Sequence, residues 1–338
     1  MTDNGCGRRT DQGNNKMLFL LLAAAVPVIW VGGDLVYSLL MKRRYARWEA
    51  GIEWDADGVR RGCRECSVGQ GDTAVLLIHG FADAPTLYQR MAPALAEKGF
   101  ACRVMRLPHF ATPMDDYRRT DAAQWREAVR LELRQLRRRH PRVIVVAHSL
   151  GAAVAVDYLA DDPTAADAAV LLAPLLAVSD RRSPLLSPGA WQRTFDHTLI
   201  FTDRVGMLFS PNLRDQEAVP LMKTDAFVPR VVYRELMRLI ARNRDRAGAF
   251  RVPLFMALGE HDEVVDNPVA ERFYQACAAR TKRQQYVAGA AHVLPMDFGW
   301  RSLTEDVVKF IREVVQAPQT PDTVALRYSR SRDSSAVG

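Results

Sequence analysis

Ser149 lies between a short apolar run and a stretch with apolar residues at helical spacing. Residues 143–147 are β-branched and apolar and follow Pro141, which predicts a buried strand. A serine on the tight turn from a strand into a helix presents its hydroxyl at the edge of a sheet, as in the nucleophile elbow G-x-S-x-G. Residues 147–151 are Ala-His-Ser-Leu-Gly, with alanine at the first glycine position. We therefore predict that Ser149 is a nucleophile, the alternative being a helix N-cap.

A nucleophilic serine needs a general base, and an imidazole base needs a carboxylate that fixes its tautomer. Asp262 follows a predicted strand at 252–258, and His292 follows another at 284–288. Catalytic groups collect at the carboxyl ends of strands in open α/β sheets. The chain order serine, acid, histidine is also the one expected with such an elbow. We predict Asp262 as the acid and His292 as the base.

Other acids and histidines compete for these roles. Glu260 and Asp266 flank the predicted acid, but Asp266 is better suited to cap a helix that begins near Pro268. His79 and His148 lie at strand ends, where a packed and hydrogen-bonded core role is the more common one. We predict that these four side chains are not members of the catalytic set.

An acyl-transfer site also needs donors for the negative charge that develops on the carbonyl oxygen. Residues 74–78 predict another strand, followed by His-Gly-Phe-Ala at 79–82. Gly80 allows a sharp turn there, which favours the Phe81 N–H as one donor. The N–H of Leu150, directly after the nucleophile, is the second predicted donor.

Taken together, these motifs make the chain resemble the α/β-hydrolase superfamily, and within it the carboxylesterase and monoacylglycerol-lipase group. The resemblance extends from about residue 71 to 315, and the matching motifs lie at 79–81, 147–151, 259–265 and 289–292. It implies an esterase or lipase with a Ser149–His292–Asp262 triad and with neither a cofactor nor a metal.

The length and the periodicity predict one α/β domain with an insertion. The chain has 338 residues, of which 48% are hydrophobic. Apolar runs alternate with helical patterns, which predicts a mostly parallel sheet flanked by helices. We predict a flexible N-terminus at 1–16, a transmembrane anchor at 17–41, a juxtamembrane linker at 42–70, core parts at 71–174 and 252–316, a cap at 175–251 and a disordered tail at 317–338.

The predicted cap supplies candidate walls for a substrate pocket, although the same residues could form the cap's own core. Many relatives carry Pro-Gly-x-Gly where this chain has Pro-His-Phe-Ala at 108–111. The bulkier His109 and Phe110 are therefore also predicted to shape the mouth of the pocket. The candidate pocket residues are His109, Phe110, Met207, Phe209, Leu221 and Phe227.

Residues 17–33 carry no charge, and the apolar character continues past Asp34 to residue 41. A stretch of about 20 apolar residues can span a bilayer. Asp34 lies near one end, where a carboxylate can reach the interface. A signal peptide and a buried core helix are the alternatives, but the basic residues at 42–44 follow directly and favour an uncleaved anchor.

The distribution of charge bears on orientation and partners. Three Lys or Arg residues precede the apolar stretch and four follow it closely, which favours a cytoplasmic catalytic domain. The net charge is +7, but the basic run at 137–139 ends a predicted helix and fits its dipole better than nucleic acid. Basic residues beside an anchor favour anionic lipid headgroups. Cys63 and Cys66 form one CxxC, which leaves a local disulfide or a zinc site open.

The sequence therefore predicts a membrane-anchored serine hydrolase that cleaves a small-molecule or lipid ester through an acyl-serine intermediate. A serine peptidase or thioesterase of the same fold is one alternative. A non-enzymatic ligand-binding protein that keeps the fold is the other, since fold alone does not fix function.

Overall fold

The fold is that of a computed structural model, which describes residues 8–183, 185–207 and 210–317, without the side chains of residues 8–18 and 20–24. The strands are β1 (Cys66–Val68), β2 (Thr73–Ile78), β3 (Ala101–Met105), β4 (Arg142–His148), β5 (Ala168–Leu172), β6 (Arg204–Gly206), β7 (Phe227–Pro229), β8 (Leu254–Gly259) and β9 (Lys282–Val287). The α-helices are α1 (Arg8–Glu49), α2 (Met91–Glu97), α3 (Met114–Tyr117), α4 (Ala122–Arg139), α5 (Leu150–Leu159), α6 (Pro188–Thr198), α7 (Arg230–Asn243), α8 (Asn267–Ala276) and α9 (Trp300–Gln316). Short 3₁₀ helices cover Pro85–Tyr88, Asp180–Arg182, Gln216–Leu221 and Ala247–Ala249.

In the part of the chain that the structure describes, seven strands form the central sheet in the order β1-β3-β2-β4-β5-β8-β9. All neighbouring pairs are parallel except β1 with β3, which is antiparallel. The central strands β2, β5 and β8 are buried along their whole length, because helices cover both faces of the sheet. The predicted α/β fold with a mostly parallel sheet is confirmed.

The register of the sheet brings the proposed chemical groups to one edge. Ile78, the last residue of β2, pairs with Ala147 of β4, and Ala147 pairs with Leu171 of β5. The residues that follow β2 and β4, His79 and Ser149, are therefore neighbours in space. Parallel pairing of β8 and β9 adds the loops that carry the acid and the histidine.

The segment between β5 and β8 forms the cap, which holds α6, α7 and an antiparallel ribbon of β6 and β7. Helix α7 places Val232, Leu236 and Leu239 in the core. At its C-terminal end, the Asn243 side chain donates a hydrogen bond to the Ala153 carbonyl on α5. The cap is thus seated on the helix that follows the nucleophile.

The N-terminal region differs from its predicted division. Helix α1 begins at Arg8, inside the segment expected to be flexible, and runs past residue 41 to Glu49. Within the described residues, the stretch Ala25–Glu49 is long and apolar enough to cross a membrane. The predicted linker also packs on the core, because Val59 and Cys63 are buried against the loops that follow β2 and β3.

The structure bears on the CxxC pair, and most of the predicted C-terminal tail lies outside its described residues. All four described cysteines are free thiols, so Cys63 and Cys66 form no disulfide. Of the predicted tail at 317–338, everything after residue 317 lies outside the described residues, as do residues 1–7.

Candidate active site

Ser149 occupies a strained turn between β4 and α5. Its φ is 52° and its ψ is −115°, a region that residues other than glycine rarely adopt. The Ser149 N–H donates to the Leu172 carbonyl over 2.9 Å, which holds the turn to the neighbouring strand. A Cβ on Gly151 would lie 2.5 Å from the His79 carbonyl oxygen, so only glycine permits this packing of helix on strand. The turn has the form of the predicted elbow.

The structure brings together the serine, the histidine and the acid that the sequence predicts. Ser149 Oγ is 2.9 Å from His292 Nε2, and His292 Nδ1 is 2.8 Å from Asp262 Oδ2. All three side chains are buried. An imidazole that donates Nδ1–H to the carboxylate keeps Nε2 free to accept the serine proton.

Asp262 is held in its ionised form. Its Oδ1 accepts the N–H groups of Val264 at 2.7 Å and Val265 at 3.0 Å. Burial raises the pKa of Asp262, but His292 and these two donors outweigh it, so the pKa lies below its ordinary value. The carboxylate therefore faces the imidazole as a charged acceptor.

The competing acids have other partners. Glu260 is exposed and its Oε2 accepts the Gly289 N–H over 2.9 Å. Asp266 caps α8 by accepting the Val269 N–H, as its position before Pro268 predicts. Neither carboxylate bonds to His292.

His79 and His148 are buried and bond to backbone groups next to the site, which agrees with their predicted core role. His148 Nε2 bonds to the His292 carbonyl over 2.9 Å, which fixes the backbone of the catalytic loop. His79 Nε2 accepts the Leu107 N–H over 3.0 Å, and its Nδ1 bonds to the Gly80 carbonyl. Burial lowers the pKa of His79 to about 4 and of His148 to about 3, so both are neutral.

Sequence patterns missed two residues that hold the His292 loop. The Asn212 carbonyl in the cap accepts the His292 N–H over 3.0 Å, while its side-chain oxygen accepts the Glu263 N–H. Asp297 is fully buried and accepts the Ala291 N–H over 2.6 Å. No periodicity marks either residue, since each acts through hydrogen bonds to backbone N–H groups in loops.

The two predicted oxyanion donors flank the serine. Leu150 is the first residue of α5, where an N–H has no partner within the helix. Phe81 follows the turn at Gly80, and a Cβ on Gly80 would lie 3.2 Å from Ser149 Cβ. Neither N–H is bonded to an acceptor among the described residues. Both are therefore available beside the nucleophile.

A known protein family matches the part of the chain that contains this site. The sequence profile of a family described as serine aminopeptidase, S33, matches residues 69–298, which is more than two thirds of the chain. The chain belongs to this S33 family. The match spans β2 to the loop after β9 and so includes Ser149, Asp262 and His292.

Three lipolytic enzymes are similar to this S33-family chain. It is 22% identical over 241 residues to the thermostable monoacylglycerol lipase of Bacillus sp. (strain H-257), a match that covers 71% of this chain and 90% of the relative. A structure from the metagenome-derived lipolytic enzymes LipS and LipT matches at a TM-score of 0.67 and 18% identity, covering 75% of this chain and 99% of the other. The monoacylglycerol lipase of Paleococcus ferrophilus matches at 0.63 and 17%, covering 74% and 98%. The prediction of an ester-cleaving serine hydrolase of the esterase and lipase type is confirmed.

Two of the predicted pocket residues have a different place in this S33-family hydrolase. Phe110 is fully buried in the main core, with its ring against His79 and Trp125. Phe227 packs its ring against Tyr45 of α1 at 5.7 Å and so joins the cap to the N-terminal helix. The assignment of these two residues to a substrate pocket stays a prediction, because the spacing of an apolar residue does not say which of several neighbours it faces.

The other described pocket candidates, Met207, Leu221 and His109, lie at or near the surface. Met207 and Leu221 are both more than two fifths exposed, although Met207 Sδ lies 3.7 Å from the Tyr233 hydroxyl. His109 is half-buried with a φ of 68°, which reflects the tight turn after β3. Phe209 lies outside the described residues. Tyr233, which sequence reasoning missed, packs its ring 5.0 Å from Phe81 and joins the cap to an oxyanion loop.

Among the described residues, Asp83 and Asp225 are two further buried carboxyls in the loops around the site. Asp83 is near the serine, since a Cβ on Gly80 would lie 3.2 Å from both Asp83 Oδ2 and Ser149 Cβ. Asp225 donates its N–H to the Ala82 carbonyl, next to Asp83. Burial raises the pKa of each to about 7, although His292 partly offsets this for Asp83 and Arg60 for Asp225. Both groups therefore titrate near neutral pH.

These raised pKa values predict a pH dependence of stability. The folded state holds a proton on Asp225 up to about pH 7, whereas the unfolded chain releases it near pH 3.8, so stability falls as the pH rises between these values. Asp225→Asn removes this loss. We expect the free energy of unfolding to fall by ~3 kcal/mol less in the variant than in the wild type between about pH 5 and about pH 8.

Urea denaturation at both pH values measures this difference. Asp115→Asn, which changes an exposed carboxyl, is the matched control and should follow the wild type. Parallel curves for wild type and Asp225→Asn would mean that Asp225 stays ionised in the folded protein.

Proposed function

We propose that this S33-family hydrolase is a membrane-anchored enzyme that cleaves carboxylic esters of lipids through an acyl-Ser149 intermediate. The observation that carries the proposal is the contact of Ser149 Oγ with His292 Nε2 at 2.9 Å, with Asp262 behind the imidazole. That arrangement turns a weak nucleophile into a reactive one.

In the proposed reaction, Ser149 Oγ attacks the ester carbonyl carbon while His292 Nε2 accepts its proton. The N–H groups of Phe81 and Leu150 stabilise the oxyanion of the tetrahedral intermediate. His292 then returns the proton to the leaving alcohol as the C–O bond breaks, which leaves the acyl group on the serine. Water then loses a proton to the same imidazole and attacks the acyl carbon. The bond from that carbon to Ser149 Oγ breaks, His292 returns the proton to Oγ, and the acid product leaves. Asp262 stabilises the imidazolium at each proton transfer.

The relatives and the N-terminal helix support the proposed substrate class. Two of the matched proteins are named as monoacylglycerol lipases, and the third is named as lipolytic. The stretch Ala25–Glu49 is suited to hold the enzyme at a membrane, where such esters reside. We propose a long-chain lipid ester of one acyl chain, with the catalytic domain on the cytoplasmic side, as the basic residues after the helix favour.

Labelling by a fluorophosphonate probe tests the acyl-serine step. The full-length wild type should be labelled and should hydrolyse a soluble short-chain ester. Ser149→Ala should lose the label and should lower kcat on the order of 10⁴ to 10⁶-fold, because no nucleophile remains beside His292.

Ser302→Ala changes an exposed serine on α9 and serves as the matched control. It should keep both labelling and activity. A folded wild type that takes no label and cleaves no ester would refute the proposal and favour the non-enzymatic alternative. A panel of esters, thioesters and aminoacyl amides separates the esterase from a thioesterase or a peptidase.

A further inference from the structure

One face of α1 is buried between residues 34 and 45, where the neighbouring side chains of the helix are exposed. Asp34, Ser38, Met41 and Tyr45 are each at most 6% exposed. Their spacing of four, three and four residues puts them on one side of the helix. The neighbouring side chains at 35, 36, 39 and 40 are exposed. The buried face is therefore a docking stripe, and it contacts the cap.

Asp34 is the polar centre of this stripe. Its Oδ2 accepts the N–H groups of Ile200 at 2.6 Å and Phe201 at 2.7 Å, and its Oδ1 accepts the Thr202 hydroxyl at 2.6 Å. Ser38 Oγ adds a hydrogen bond to the Phe201 carbonyl at 2.7 Å. A carboxylate in an apolar helix is costly unless it is partnered, and here the cap supplies the partners.

The cap segment at 198–202 is held from its other side as well. Arg230, the first residue of α7, donates to the carbonyls of Leu199 and Thr202, each at 2.8 Å. It also donates to the Phe195 carbonyl at the end of α6. The segment is thus fixed between a carboxylate on α1 and a guanidinium on α7.

This fixed segment turns two large apolar side chains outward. Ile200 is 68% exposed and Phe201 is 41% exposed. They adjoin the helix, because the Trp30 indole N–H donates to the Thr198 carbonyl over 2.8 Å. Together with the exposed apolar side chains of α1, they form a continuous apolar surface of the kind that contacts a partner.

The charges beyond this surface indicate which partner it fits. Lys42, Arg43 and Arg44 are exposed and lie about 12 Å further along the helix axis than Asp34, at 1.5 Å per residue. Cations on long side chains next to an apolar surface are suited to lipid headgroups. A protein partner would not need this order of apolar and then basic residues along one axis.

We propose that Ile200 and Phe201 lie in the interface of a phospholipid bilayer beside α1, and that Asp34 fixes the cap to the membrane helix. The inference rests on the membrane anchor proposed above. With Asp34 bonded to the cap, α1 holds the cap in a fixed position relative to the bilayer, which a flexible linker would not do. Helix α7 extends from Arg230 to the site, where Tyr233 packs on Phe81, so the orientation of the site towards the bilayer is fixed as well.

Photocrosslinking of the full-length protein in phosphatidylcholine vesicles tests the contact directly. p-Benzoylphenylalanine at position 200 should yield lipid adducts, whereas the same residue at position 131, an exposed leucine on α4, should not. A crosslinked protein dimer at position 200, or no lipid adduct there, would overturn the proposal. This measurement does not depend on catalysis, so it is separate from a failure of the proposed function.

A pair of substrates gives the functional readout. Ile200→Ser combined with Phe201→Ser should lower activity on a vesicle-borne monoacylglycerol about tenfold, because apolar area is lost from the interface. Activity on a soluble short-chain ester should stay unchanged. Leu131→Ser is the matched control and should change neither activity. Equal activity of the double variant and the wild type on vesicles would contradict the inference.

Asp34→Ala tests the fixing of the cap. The variant should remain in the membrane fraction, but the lipid adduct at position 200 should decrease severalfold because the segment is released from α1. An unchanged adduct would show that Asp34 does not hold the cap at the bilayer.

Discussion

Asp262→Asn should lower kcat on a soluble ester by about 10⁴-fold while the protein stays folded. The reason lies in the hydrogen bonds of the carboxylate. The N–H groups of Val264 and Val265 both need an acceptor, so they retain the amide oxygen of the variant. The amide nitrogen must then face His292 Nδ1, which forces the imidazole proton onto Nε2. An imidazole protonated at Nε2 cannot accept the proton of Ser149.

Steady-state kinetics with a thermal melt measures both parts of this expectation. Glu260→Gln, two residues away and also at the end of β8, is the matched control and should retain kcat. If Asp262→Asn kept full activity while Glu260→Gln lost it, the assignment of the acid would be reversed. A large fall in melting temperature for Asp262→Asn would instead indicate a structural role.

The residues of the proposed triad could be found from the sequence because each directly follows or closely follows a clear strand. Ser149, Asp262 and His292 lie in loops after β4, β8 and β9, and parallel strands bring such loops to one edge. The groups that hold these loops could not be found in the same way. Asn212 and Asp297 act on backbone N–H groups, and such contacts leave no periodic pattern.

The structure of the cap and its contacts with α1 could not be predicted from the sequence either. Strands β6 and β7 have three residues each, too few for alternation to be visible. Composition predicts an apolar N-terminal helix and places Asp34 near one end of it, where its carboxylate can reach the membrane interface. The structure pairs it with backbone groups more than 160 residues away in the chain. Only the fold brings these partners together.

Gly259, the last residue of β8, lies against the loop that precedes His292. A Cβ on Gly259 would lie 1.9 Å from the Ala291 carbonyl oxygen and 2.8 Å from its carbon. Because both atoms belong to the backbone, Gly259→Ala must push the loop before His292 away from the sheet. A displacement of about 1 Å there should cost on the order of 100-fold in kcat. The overpacking should also destabilise the fold by about 3 kcal/mol.

Kinetics on a soluble ester and urea denaturation measure the two effects of Gly259→Ala. Gly248→Ala is the matched control, since nothing lies within 4 Å of its added Cβ and it is distant from the loop. It should leave kcat unchanged. Should Gly259→Ala lose stability but keep kcat, the His292 loop would be free to move without losing its contact with Ser149. The short distance from His292 to Ser149 would then depend on the cap residue Asn212 and on His148, and not on the packing of β8.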